Sequence, residues 1–183
     1  GDYTVCTVWR NMVLDYIDMV ATDIVIIGSS ATYEFSASDW IDGSTRILER
    51  VAPSTSDVVL IAGTPHLSFN GPSCLEDPWR FSFRLNSGER ECEEAQVETR
   101  PDEVAGYLRQ AATKFADVNV LELGDLVCPD QRCAAQTPSG MVVFRDGQHI
   151  TASFALSLVP EMRARLATAG VSLAPPVPGK LSD

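Results

Sequence analysis

Two short apolar runs constrain this chain more than any other feature. Asp23-Ile24-Val25-Ile26-Ile27-Gly28 and Val58-Val59-Leu60-Ile61-Ala62-Gly63 are almost wholly aliphatic, and each ends on glycine. Spanning helices need about 18 apolar residues, so these runs are too short to cross a membrane. Without polar alternation they predict strands buried on both faces. Val118-Asn119-Val120-Leu121-Glu122-Leu123 reads as a third strand.

Between the strands the apolar period changes to that of helices. Val5, Val8, Trp9, Met12, Val13, Ile17 and Val20 recur at three and four, predicting an amphipathic helix that ends near Ala21. Trp40, Ile41, Ile47, Leu48 and Val51 supply the inner face of a second helix over 37–51, despite Gly43 inside it. Pro101 suits the first turn of a third, running to about Ala116. A short strand is expected over 141–144, and Thr151 N-caps a last helix reaching about Ala169. Helices alternating with buried strands predict an α/β fold, a parallel sheet with helices on both faces. In such sheets the ligand site lies beyond the carboxyl ends of the strands, which singles out loops 28–35, 63–70 and 124–149.

The 183 residues suit one domain, read as 1–172 with a flexible Pro-rich tail over 173–183. A net charge of -11 and a pI near 4.5 disfavour nucleic acid or an anionic membrane surface as partner. No secretory signal stands within these residues. Five cysteines occupy positions 6, 74, 92, 128 and 133. Cys128 and Cys133 flank a polar loop far in sequence from either histidine, so a short disulfide fits better than a metal site. Cys74 with Cys92 makes a second pair across a long irregular stretch, and both imply an oxidising compartment. Cys6 is left over.

With two histidines the search for a general base is short. Asp146-Gly147-Gln148-His149 places a carboxylate three residues before an imidazole, between a short strand and the last helix. That carboxylate can fix the tautomer while the other ring nitrogen takes a proton from a serine. The plainer alternative is a surface turn. His66, directly after the second strand, either lines the same mouth or packs within its loop. Gly28, Ser29 and Ser30 follow the first strand, where they serve as oxyanion donors or simply as a tight turn. No Gly-x-Ser-x-Gly elbow surrounds either serine, which argues against both as nucleophile. Cys6 is a weaker nucleophile candidate still.

Five segments, taken in order, resemble the SGNH (GDSL-type) domain fused to the C-terminus of bacterial membrane-bound acyltransferases that O-acetylate cell-surface polysaccharides. Cys6-Thr7-Val8-Trp9-Arg10 resembles the family's Cys-x-x-Trp-Arg helix start, and Asp23–Ser30 its strand ending in serine. Gly63-Thr64-Pro65-His66 with Pro72-Ser73-Cys74-Leu75 resembles its disulfide loop. Leu126 to Cys133 resembles its Cys-Pro…Cys loop, and Val143 to Thr151 its Arg-Asp-x-x-His block.

The resemblance implies an SGNH/flavodoxin-like three-layer sandwich with Asp146 and His149 as catalytic residues. It implies no cofactor and no metal. The acyl donor would come from a membrane-embedded acyltransferase domain and the acceptor would be a glycan. The setting would be the periplasmic or extracellular side of the cell membrane, tethered to a transmembrane domain. In the family the nucleophile belongs to a Gly-Asp-Ser block on the first strand, whereas this chain begins Gly1-Asp2-Tyr3. The first strand–helix segment is therefore expected to be missing here, and with it the partner of Cys6. The family's oxyanion asparagine corresponds to Ser30. The alternatives are a catalytically inactive module that binds glycan or stabilises a partner, and a secreted carbohydrate esterase.

Overall fold

The computed structural model describes residues 3–76, 92–95, 100–171 and 173. Helix α1 (Thr4–Val20) leads into strand β1 (Ile24–Gly28), α2 (Ala37–Val51) into β2 (Asp57–Ile61), and α4 (Arg100–Ala112) into β4 (Val118–Leu121). Between β2 and α4 lie the short helix α3 (Gly71–Glu76) and strand β3 (Glu93–Ala95). After β4 come α5 (Gly124–Val127), β5 (Arg132–Ala134), α6 (Ala152–Ser157) and α7 (Val159–Thr168). No helix among the described residues is long and apolar enough to cross a membrane.

The three expected strands form one parallel sheet in the order β1-β2-β4. Alternate residues face opposite layers, as the pleat requires. Val25, Ile27, Val58, Leu60 and Val118 pack beneath α1, α2 and α4, against Leu14, Trp40, Leu48, Val104 and Leu108. Ile24, Val59, Ile61 and Leu121 pack on the other face against Met162 and Leu166 of α7. The predicted α/β fold with helices on both faces is the observed one.

Local chemistry sets the helix ends. Ser36 accepts a hydrogen bond from the Asp39 amide at 3.1 Å, and the Asp39 carboxylate accepts one from the Ser36 amide at 3.3 Å, a complete capping box for α2. Thr151 caps α6 through Phe154 as expected, but the last helix is two. Pro160 has no N–H for the Leu156 carbonyl, so the chain breaks at Leu158 and resumes as α7.

Three further expectations change. β1 is not buried on both faces: among the described residues it is a sheet edge, and its central Ile26 is 46% exposed. On α1 only Leu14 is buried, while Val5, Val8, Trp9, Met12 and Val20 of the anticipated inner face are exposed. Helix α1 reaches the core only through Leu14 and Ile17. Residues 141–144 are extended but form no strand ladder, because Val142 bridges to Gln136 and Phe144 to Ile150. The short antiparallel pair of β3 and β5 was not anticipated. The expected tail lies outside the described residues except for Leu173.

Candidate active site

Both expected disulfides form, Cys74–Cys92 and Cys128–Cys133, while Cys6 is free and exposed. Cys128 and Cys133 are buried with Leu67, Val143, Phe144 and Phe154 in a second apolar cluster, with Cys92 packed beside it. This cluster gives the irregular loops a core of their own. The carboxylate of Glu94, two residues past Cys92, accepts from the Ser68 amide and hydroxyl, each at 2.6 Å. The disulfide thereby holds β3 against the loop that follows β2.

The loops at the carboxyl ends of the strands are seated on one another by glycines. A Cβ on Gly63 would lie 2.8 Å from the Ala31 Cβ, so only glycine lets the loop after β2 touch the loop after β1. A Cβ on Gly147 would lie 3.1 Å from the Phe69 carbonyl oxygen and 3.2 Å from that of Leu67. With no side chain there, the Leu67 amide donates to the Gly147 carbonyl at 2.8 Å. The loop after β1 is held separately by Arg100, which donates to the Tyr33 and Phe35 carbonyls at 3.0 and 2.8 Å.

The turn that carries the dyad is closed at its base. Phe144 bridges to Ile150, the Arg145 amide donates to the His149 carbonyl at 2.9 Å, and Phe144 is fully buried. Within the turn, Asp146 Oδ1 accepts from the Gln148 amide at 2.6 Å and the His149 amide at 2.8 Å. His149 Nδ1 lies 2.9 Å from Asp146 Oδ2. The Gln148 amide first, then the His149 amide and ring, hold the Asp146 carboxyl well below the usual carboxylate range. A carboxylate facing Nδ1 assigns the proton to that nitrogen and leaves Nε2 as acceptor. Nε2 has no hydrogen-bond partner among the described residues, and the His149 side chain is 63% exposed. Arg145 Nε stands 3.6 Å from Asp146 Oδ2.

The remaining candidates lie on the neighbouring loops. Gly28 ends β1, and Ser29 just beyond it is half-buried. The Ser30 hydroxyl engages Thr32 locally, at 2.7 Å from its Oγ1. His66 is half-buried between buried Pro65 and Leu67, on the loop that meets Gly147. Sequence reasoning missed Glu94 and Arg100, whose long-range contacts leave no local signature. It also missed the spacing role of Gly63 and Gly147, although a glycine directly after a strand or acid was a visible cue. A hollow of about 470 Å³ at the ends of β2 and β4 is lined by Gly63, Pro65, Asp102, Glu122 and Asp125, but by neither Asp146 nor His149. Among the described residues nothing covers the pair, whose His149 and Asp146 side chains are 63% and 35% exposed.

Comparison with known proteins places the fold. Among solved structures, the periplasmic domain of a lipopolysaccharide acetyltransferase from Salmonella ser. Paratyphi A has the same fold, with a TM-score of 0.66 at 14% identity. The match covers 86% of this chain and 61% of that one, so this chain spans about three fifths of that domain's length. No curated protein sequence matches. The family model of the SGNH domain fused to AT3 domains matches residues 3–164, and the chain belongs to that family.

Proposed function

We propose that this chain carries the acid–base half of an acyl-transfer site, moving an acetyl or related acyl group to a hydroxyl of a cell-surface glycan. The observation that carries this reading is His149 Nδ1 held 2.9 Å from an anionic Asp146, with Nε2 open to solvent. A serine attacks the acyl carbonyl while Nε2 takes its proton, and returns that proton to the leaving group. The imidazolium formed in between is stabilised by Asp146. A glycan hydroxyl then attacks the acyl-serine, losing its proton to Nε2, and the serine leaves with that proton. The amides after β1, around Gly28, Ser29 and Ser30, are the proposed donors to the oxyanion. Family membership and the fold shared with an acetyltransferase domain support acyl transfer as the chemistry.

No serine hydroxyl is bonded to His149 among the described residues. We assign the nucleophile to a segment that pairs with the edge of β1 left free among the described residues, which ends beside the loops meeting at Ala31 and Gly63. The acyl donor comes from a membrane-embedded acyltransferase domain, and the site works on the periplasmic or extracellular side. The same observation favours a second reading, an inactive SGNH-like module that binds glycan. Mass spectrometry of the full-length protein after incubation with acyl donor separates the two. The expected result is an acyl adduct on a serine, with transfer reduced by about 10⁴-fold or more in His149→Ala. No adduct, together with full transfer in His149→Ala, would leave only the binding module.

A further inference from the structure

Hydrogen bonds inside the 146–149 turn set the distance from Asp146 to His149, but where that turn stands over the strand ends depends on the segment it leans on. Residues 67–69 are that support. The Leu67 amide donates to the Gly147 carbonyl at 2.8 Å, and a Cβ on Gly147 would meet the Phe69 and Leu67 carbonyl oxygens at 3.1 and 3.2 Å. Ser68 stands between these two contacts, with its side chain exposed. Its amide and its hydroxyl both donate to the Glu94 carboxylate, each at 2.6 Å. Two bonds from one residue to one carboxylate fix direction as well as distance.

Glu94 is itself anchored. On β3 it pairs with Cys133 of β5, and its neighbour Glu93 forms an ion pair with Arg132. Cys92, two residues before it, is bonded to Cys74 of α3 and accepts at its carbonyl from the Ala135 amide at 2.8 Å. The fully buried Ala135 also accepts from the Val143 amide at 2.8 Å, three residues before Asp146. The strand that carries Glu94 and the base of the dyad turn are therefore tied to the same residue, while Ser68 and Leu67 tie Glu94 to the tip of the turn.

We propose that Glu94 is a positioning residue for acyl transfer: through Ser68 it fixes where the Asp146–His149 turn stands over the strand ends, and with that the reach of His149 Nε2 to the serine. The role rests on the catalytic reading above. Misplacing a reacting group by about 1 Å can cost about 100-fold in rate, so a support this close to the turn is felt in kcat. A pair that only stabilised the fold would lower Tm and leave kcat per folded molecule unchanged.

Amide exchange in the ¹⁵N-labelled chain reads the support without chemistry. Glu94→Ala should speed exchange at Leu67 about tenfold, since 67–69 then opens without first breaking the bonds to Glu94. His149→Ala should leave that rate as in the parent. In the full-length protein Glu94→Ala should lower kcat about 10- to 100-fold at unchanged KM. Glu94→Gln has the same length and keeps both bonds once the Ser68 hydroxyl turns to accept, so kcat should return to within about threefold of the parent. Ser68→Ala tests the same link without touching the core. It should lower kcat about threefold in the parent and not at all in Glu94→Ala, because the two residues act as one unit. An unchanged Leu67 rate in Glu94→Ala, an unchanged kcat per folded molecule, no recovery in Glu94→Gln, or additive losses in the double variant would each overturn the role. Undiminished transfer in His149→Ala would instead overturn the catalytic reading, whatever the exchange rates show.

Discussion

At the scale of single residues, the dyad is made by local geometry more than by burial. Three donors converge on Asp146 from within its own turn, two of them backbone amides. That convergence keeps the carboxyl ionised in a site open to water, where a distant charge would be screened. Because its folded pKa is depressed, the stabilisation it supplies is complete above the ordinary carboxylate value of about 3.9 and is lost as pH falls below that. The stability gap between the parent and Asp146→Asn should accordingly be widest above about pH 5 and narrow below about pH 4. Urea midpoints measured at pH 3 and pH 7 check this; a constant gap would mean that Asp146 is not the anionic acceptor drawn here. Asp146 and His149 were legible in the sequence because three residues of one turn set their distance. Glu94 and Arg100 were not, since each reaches its partner across more than twenty residues of chain.

At the scale of elements, periodicity located the strands and the main helices, and their ends followed local rules. Helix α1 stops at Ala21 in the left-handed conformation, φ 48°, with its amide donating to the Ile17 carbonyl at 3.0 Å. An L-residue pays for that conformation and glycine does not, so Ala21→Gly should raise stability by about 0.5–1 kcal/mol. A thermal melt reads the change, and a lower Tm would show that the α1 terminus is set by something else. Pro160 had a visible consequence that the apolar pattern concealed. The pattern continues across Leu158, but the missing N–H divides α6 from α7. Arg165 of α7 then secures the second half, donating to both Asp125 carboxylate oxygens at 2.8 and 2.7 Å and to the Glu122 carbonyl at 2.8 Å.

At the scale of the whole molecule, β1 pairs on one side only among the described residues, and exposed apolar side chains concentrate on α1. Ile26 on β1 and Val8, Trp9 and Met12 on α1 are all more than two-fifths exposed. An apolar helix face of this kind, Val8, Trp9 and Met12 on α1, marks an interaction site or a liability to association. The chain should bind a hydrophobic dye, and Val8→Lys with Met12→Glu should reduce that binding without lowering Tm, because neither side chain contributes to the core. Dye fluorescence and a melt on the same samples test both halves; a drop in Tm would mean that α1 packs more tightly than its exposure indicates. The outer side of β1, unpaired among the described residues, is also where the proposed nucleophile segment would add.

The sequence by itself determined the strands, the main helices, both disulfides and the pairing of Asp146 with His149, because each depends on local period, on local spacing or on a few cysteines. Only the tertiary structure decided that, among the described residues, β1 is an edge, α1 leaves most of its apolar face exposed, and Asp146 and His149 lie uncovered. Burial depends on what a surface is packed against, and an aliphatic run looks the same in sequence whether a neighbour covers it or not.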